Sequence, residues 1–360
     1  MISSHVDRNT SKDTPPQKFP WVAILALGVI GYVLYRAAAG SQGFDWSRFG
    51  ATLTALDPAN CALAILFIIL SYFGRAIRWE VMIRPLGPTP SIWRLFVATS
   101  IGFTAVVLLG RPGEFVRPWL ISRESNTSFS SQLAVWLFER IYDLLIVILF
   151  FGYGLIHLSK SGIVAQAGPE LRLVVASGGT VAMVGGAVCL IFIFALRFLS
   201  PQQREKLVGM ADKLPKVLAD RIRPFASNFM AGAAACCQGS GQWLVIGYTL
   251  IEWLIIAGCY WAIFQAFPFT HRLTVDDIIA IVGLVSFGAV VQLPGIGGGM
   301  QVAAIAVLTQ LFSFSLEEAT SVAIILWVAS FTLIVPIGVG FALNEGLSFG
   351  KMRELSGEAS

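Results

Sequence analysis

The stretch LLGRPGEFVR, Leu108–Arg117, closes an apolar run with two glycines, a proline and three charged side chains. Backbone breakers and charges are what a membrane span avoids, because unpaired backbone groups and ions are costly in hydrocarbon. Pro112 suits the first position of a helix, where its missing N–H costs nothing. A helix starting there would present free N–H groups and partial positive charge, a natural seat for an anion. Arg111 and Arg117 add to that charge, while Glu114 either caps the helix or balances the arginines. Pro118 is expected to kink or end the helix soon after. Turn chemistry alone is the competing explanation, and the surroundings decide between the two.

Those surroundings are apolar. The chain has 360 residues, 56% hydrophobic and 13% charged, with mean hydropathy +0.74; soluble domains carry about 25% charged residues. The net charge is +4 and its basic residues group in a few loops, which bears on orientation rather than on nucleic acid, so no nucleic-acid partner is expected. Cys61, Cys189, Cys236, Cys237 and Cys259 lack metal-ligand spacing and read as free thiols. The three histidines lie far apart. No metal and no cofactor are expected. Residues 1–20 read as a disordered cytoplasmic tail, and 344–360 as a second cytoplasmic tail.

Apolar segments cover about 21–39, 61–79, 95–110, 132–158, 171–198, 241–267, 278–293, 301–314 and 321–343. A span needs about 20 residues, and 95–110, 278–293 and 301–314 fall short. Loop charge gives the topology. The basic regions 75–94 and 197–223 share the cytoplasmic side under the positive-inside rule only if 95–110 dips in and returns. Lys351 and Arg353 come out on that side if 278–314 is also a hairpin, entered from the outer face. The expected fold is therefore all-α: a polytopic membrane domain over 21–343 with about six full spans and two inverted re-entrant hairpins, or else eight spans. Non-helical backbone at membrane depth survives only beside protein or a water-filled cavity, so a polar pocket between the hairpins follows. Short, interrupted segments in two halves point to a transporter-type site.

Charges reach membrane depth elsewhere. Only Leu144–Leu158 is apolar after Asp143, about 22 Å of helix, so a full crossing draws Glu139, Arg140 and Asp143 inside. Glu139 and Asp143 share a face, and Arg140 can pair with Asp143. Two acids and one base leave a negative spot seeking a cation, as an internal ion-pair lock or as a site handling substrate or protons. Arg75 and Arg78 enter the inner leaflet on one face, with Trp79 expected at the interface. They either snorkel to lipid phosphate or partner Glu114, Glu139, Asp143 or a ligand phosphate, which arginine's planar fork suits. Glu252, alone in its span, is a second-rank site residue.

Two further features complete the pattern. PGIGGG, 294–299, offers Pro294, Gly295, Gly297 and Gly298 at a tight turn whose N–H groups could face an anion. Residues 202–225 place Leu207, Met210, Leu214, Val217, Leu218, Ile222 and Phe225 at helical spacing, with basic residues opposite. They read as an interfacial amphipathic helix kinked near Pro215. Asp276 and Asp277 are expected to cap the following helix.

Arg78-Trp79, then Arg111-x-Gly113-Glu114-x-x-Arg117, then Glu139-Arg140-x-x-Asp143, in that order, resemble the flippase-like family, the transmembrane region of lysylphosphatidylglycerol synthases and their stand-alone relatives. The likeness covers about residues 20–343. The family also carries a Pro-Gly-Gly-x-Gly turn followed by glutamate; Pro294, Gly295 and Gly298 fit it, whereas Gln301 holds the glutamate position. Leu109 stands where the family has a proline. The resemblance implies an inner (plasma) membrane protein of bacterial type, not an enzyme, that moves an amphiphilic lipid between leaflets. Its loops are too short for the synthases' soluble aminoacyl-transfer domain, so a stand-alone member without lysyl transfer is expected. On this reading Arg75, Arg78, Arg111, Arg117 and Arg140 hold headgroup phosphate, and Glu114, Glu139 and Asp143 set the arginines' geometry or couple to protons. The expected partner is a membrane lipid with an anionic headgroup. A membrane-embedded enzyme acting on a lipid-linked substrate, or a non-catalytic subunit partnering a lipid-synthesis enzyme, are the alternatives.

Overall fold

A computed structural model of the chain describes residues 44–160, 162, 169–237, 241–289, 292–293 and 297–346. The expected first span at 21–39, both expected tails apart from residues 344–346, and Pro294 and Gly295 lie outside them.

The regular secondary structure of the described residues is helical apart from one short β pairing. Helix α1 is Trp46–Thr54 and α2 is Pro58–Ile83. Helix α3, Ile92–Leu109, leads through a 3₁₀ turn at Arg111–Phe115 into α4, Val116–Glu124. Then come α5, Phe129–Lys160; α6, Pro169–Phe198; α7, Pro201–Gly209; α8, Lys216–Cys237; and α9, Gly241–Ala266. Helix α10, Val275–Gly288, is followed by strands β1, Gln292–Leu293, and β2, Gly297–Gly298, and by α11, Gly299–Gln310. Helix α12, Leu316–Trp327, continues through a π turn at Val328–Thr332 into α13, Ile334–Asn344. Among the described residues, five helical stretches are long and apolar enough to cross a membrane: Pro58–Leu86, Ile92–Leu109 (where a segment too short to span was expected), Phe129–Lys160, Gly241–Ala266 and Leu316–Asn344. This is a polytopic helical membrane protein.

The starts are built as the sequence dictates. Asp57 accepts from the N–H groups of Ala59 and Asn60, with Pro58 at the first position of α2. Ser91, Ser200, Thr274 and Ser315 cap α3, α7, α10 and α12 in the same way. Asp277 closes the Thr274 cap from the third position of α10.

Helices α3 and α4 form a closed hairpin. At its base Arg94 donates to both oxygens of Glu124 at 2.9 and 2.8 Å. Midway, Gly102 lies against Arg117, and near the tip Gly113 lies against Ala105. The chain reverses at Gly110, φ +74°, a conformation that favours glycine. A Cβ on Gly113 would overlap the Ala105 carbonyl, so that glycine is required by close backbone approach. Pro118 neither kinks nor ends α4: it sits in the first turn, where no N–H is needed.

Helices α10 and α11 form a second hairpin. Arg272, at its base, donates to the Phe312 carbonyl at 2.5 Å and lies 4.2 Å over the Phe314 ring. Near the tip Gly288 meets Gly299 and Ala303, and β1 pairs with β2 in antiparallel register, Gln292 with Gly298 and Leu293 with Gly297.

Helix α5, 32 residues and so about 48 Å long, joins the two hairpins. Its start follows the base of the first across a short loop. Its far end holds the base of the second, through Tyr153 Oη to Asp276 at 2.7 Å and His157 to Asp277 at 2.8 Å. The hairpin bases therefore lie at opposite ends of α5, and their tips meet where Arg111 donates to the Ala289 carbonyl at 3.3 Å.

The other long helices wrap this pair. Helix α9 runs antiparallel to α2, from Ala266 beside Asp57 to Glu252 beside Arg78. Helix α13 packs on α3, with Gly338 against Ser100 and Thr104. Pro336 has no N–H to offer the carbonyl four residues back, and the preceding turn relaxes to π geometry; Tyr72 Oη donates to the Ser330 carbonyl there at 2.9 Å. Beyond Phe198 the chain bends by 109° into α7. The expected amphipathic helix proves to be two, α7 and α8, separated by a 3₁₀ turn and a break at Leu214-Pro215. Its apolar residues, Leu207, Met210, Leu214, Val217, Leu218, Ile222 and Phe225, are exposed.

Candidate functional site

Arg78 is the centre of a buried ion network. It lies on α2, is fully enclosed, and faces carboxylates from two other helices. Its Nη1 donates to Asp143 Oδ1 at 2.7 Å and to Thr249 Oγ1 at 3.1 Å, and its Nη2 donates to Glu139 Oε1 at 2.7 Å. Glu252 Oε2 lies 3.3 Å from Nη1. The four-residue spacing of Glu139 and Asp143 puts both on the α5 face that meets this guanidinium. The negative spot on α5 thus finds its cation on α2.

Three more arginines surround the carboxylates. One turn before Arg78, Arg75 pairs with Glu252 at 2.9 Å. Arg117, from α4, donates to both oxygens of Glu139 at 3.1 and 3.0 Å and to the Arg75 carbonyl at 3.2 Å. Its guanidinium lies 4.0 Å over the Trp79 ring, a stacked cation–π contact. Arg140 sits 3.3 Å from Glu139 and 3.4 Å from Asp143. Trp253 donates its indole N–H to Asp143 at 3.2 Å. Removing Arg78 would break its pairs with three buried carboxylates at once, at about 3–5 kcal/mol.

The network forms one wall of a cavity of about 690 Å³, within the size range of ligand sites. Arg75, Arg111, Glu114, Arg117, Arg140 and Asp143 give it a polar side, and most of the remaining lining is apolar or aromatic, including Tyr72, Phe103, Trp136, Trp253 and Phe331. Both hairpin tips contribute, through Arg111, Pro112, Glu114 and Phe115 from the first and Ser286, Phe287 and Ala289 from the second. Arg111 pairs with Glu114 across one helical turn.

Seven of the residues singled out in the sequence thus meet in one network: Arg75, Arg78, Arg117, Glu139, Arg140, Asp143 and the second-rank Glu252. Arg111 and Glu114 pair with each other at the cavity's edge rather than with Arg75 or Arg78, and Gly113 is a packing position. Gln301 is engaged at the start of its own helix, accepting from the Gly298 N–H at 2.7 Å. It does not line the cavity, and neither does Gly298. Trp79 is not interfacial: it is fully buried, held by Arg117 above and by a 2.9 Å bond from its indole N–H to Gln132. Thr249 and Trp253 were not legible as site residues, though Thr249 lies three before Glu252 and so on its face.

Fold and site together define a polytopic membrane protein whose long helices and two helical hairpins enclose a cavity with a charged wall. Residues 23–340 match the family model of the lysylphosphatidylglycerol synthase TM region. The chain belongs to that family. It is also similar to the glycosyltransferase AglD of Haloferax volcanii, 30% identical over 119 residues, which is 33% of this chain and 19% of that protein. The match therefore spans about a fifth of the relative's length.

Proposed function

We propose that this protein is a lipid transporter that moves an amphiphilic phospholipid between the leaflets of a bacterial-type inner membrane, both chain ends lying in the cytoplasm. The observation that carries the reading is the cavity between the hairpin tips, apolar over most of its surface and arginine-lined on one side. Such a space takes a charged headgroup while acyl chains stay in contact with apolar side chains and lipid. The hairpins act as an inverted, re-entrant pair, supported by bases at opposite ends of α5 and tips in contact. Membership in the synthase membrane-region family supports a role with lipids.

The test is translocation of a labelled phospholipid in reconstituted vesicles. Arg111→Ala and Glu114→Ala each break the pair at the hairpin tip and are expected to abolish translocation while leaving expression intact. Transport at the unaltered rate in both variants would sink the proposal. The similarity to a glycosyltransferase favours one second reading, a membrane subunit serving a separate lipid-modifying transferase. Co-purification of a stoichiometric partner, with no translocation by the chain alone, would select it.

A further inference from the structure

The geometry points to a singly charged anionic headgroup, a phosphodiester, as the ligand of this cavity, with Arg140 as the residue that sets the charge preference. The inference rests on the reading of the cavity as a lipid site and narrows the class of lipid.

Among the described residues, five guanidinium groups meet four carboxylates at the cavity and the network behind it: Arg75, Arg78, Arg111, Arg117 and Arg140 against Glu114, Glu139, Asp143 and Glu252. Each carboxylate already has an arginine. Glu114 has Arg111, Glu139 has Arg78 and Arg117, Asp143 has Arg78, and Glu252 has Arg75 and Arg78. One positive charge is surplus. Charge taken out of water must be compensated nearby, and a ligand of charge −1 does so.

Contacts identify the surplus group. Arg78 and Arg117 are almost wholly enclosed, and Arg75 is 12% exposed; Arg111 is 48% exposed, but Glu114 balances its charge. Arg140 is 35% exposed and lines the cavity. Its two carboxylate contacts fall on Glu139 Oε2 and Asp143 Oδ2, oxygens already bonded by Arg117 and Arg78. Its Nε is buried without a hydrogen-bond partner, as are those of Arg78 and Arg117, so what sets Arg140 apart is its exposure to the cavity and its shared acceptors. A phosphodiester oxygen beside Arg140 would take a charge-assisted bond that the carboxylates leave available. A phosphomonoester carries about −1.5 to −2 at neutral pH and overshoots the surplus. A zwitterionic headgroup brings an ammonium, and the described acidic residues lining the cavity, Glu114 and Asp143, are already paired.

The experiment uses delipidated full-length protein in detergent, offered phosphatidylglycerol, phosphatidic acid or phosphatidylethanolamine, with retained lipid read by native mass spectrometry. Phosphatidylglycerol is expected to be retained at least about ten-fold more tightly than the other two, a difference of about 1.4 kcal/mol. Arg140→Gln should erase that preference and Arg140→Lys should restore it, which separates lost charge from lost folding. Equal retention of phosphatidic acid or phosphatidylethanolamine, or an undiminished preference in Arg140→Gln, overturns the assignment. Ser286→Trp, which fills the cavity, tests the parent reading: if it leaves retention of every lipid unchanged, the cavity is not the lipid's site and both readings fall.

Discussion

Arg111, at the tip of the first hairpin, donates a hydrogen bond to the backbone carbonyl of Ala289, at the tip of the second. The two bend regions therefore touch at the cavity's edge, held by a side chain on one side and main chain on the other. Because the acceptor is backbone, no substitution at position 289 other than one that moves the chain removes it. The contact is controlled from residue 111 alone.

Arg78 is the largest single stake in stability. Arg78→Met keeps most of its volume but leaves Glu139, Asp143 and Glu252 without their shared cation. A loss of about 3–5 kcal/mol is expected, read as thermal or denaturant unfolding in detergent. A change below about 1 kcal/mol would show that Arg75, Arg117 and Arg140 suffice to hold the three carboxylates.

The ion pair at the first hairpin's base makes the contrast. Arg94 and Glu124 are bidentate but largely solvent-facing, at 60% and 31% exposure. Exposed pairs contribute about 0–1 kcal/mol, so Arg94→Ala should shift stability by no more than that. A loss equal to that of Arg78→Met would mean that the base is far less exposed in the membrane than in the isolated chain.

Gly113→Ala tests the close approach at the tip. The added methyl meets the Ala105 carbonyl, and overpacking costs about 1–3 kcal/mol. The measurement is the unfolding midpoint in detergent, compared with Gly50→Ala, where nothing lies within 4 Å of the added carbon. Equal midpoints would refute the packing role.

Trp79→Phe separates stacking from hydrogen bonding. A ring remains beneath Arg117, but the bond to Gln132 is lost. Leaving that buried acceptor with one donor fewer should cost about 1–3 kcal/mol, whereas Trp79→Ala should cost more, since the cation–π surface goes as well. Identical losses in the two variants would assign the whole effect to the hydrogen bond.

Much of this arrangement was legible in advance because it follows from charge. An ion cannot sit at membrane depth alone, so Glu139, Arg140 and Asp143 in a segment too short to avoid the interior had to find partners, and Arg75 and Arg78 were the arginines in a similar position. Gly110 and Pro112 announced the reversal through backbone chemistry. Pairings across the bundle were not legible. Nothing local distinguishes Glu114 from Glu252 as the partner of Arg75; only the antiparallel run of α9 along α2 decides it. Trp79 was misplaced because tryptophan is common at membrane interfaces, and its burial depends on Arg117 arriving from a hairpin that lies far away in sequence. Gln301 occupies a motif position but caps its own helix, a local role that composition cannot separate from a ligand role.

Helix α5 carries Glu139 and Asp143 in its middle and grips the second hairpin's base near its end, at Tyr153 and His157. It works as a spacer of fixed length and phase. Inserting one residue between Asp143 and Tyr153 would raise the far end by about 1.5 Å and turn it by about 100°, swinging both grips off Asp276 and Asp277 while the arginine network stayed whole. The reach from charge centre to hairpin base is thus counted in residues. Sequence drift in that interval can change side chains freely on the lipid side, but an insertion or deletion there would put the two tips out of step.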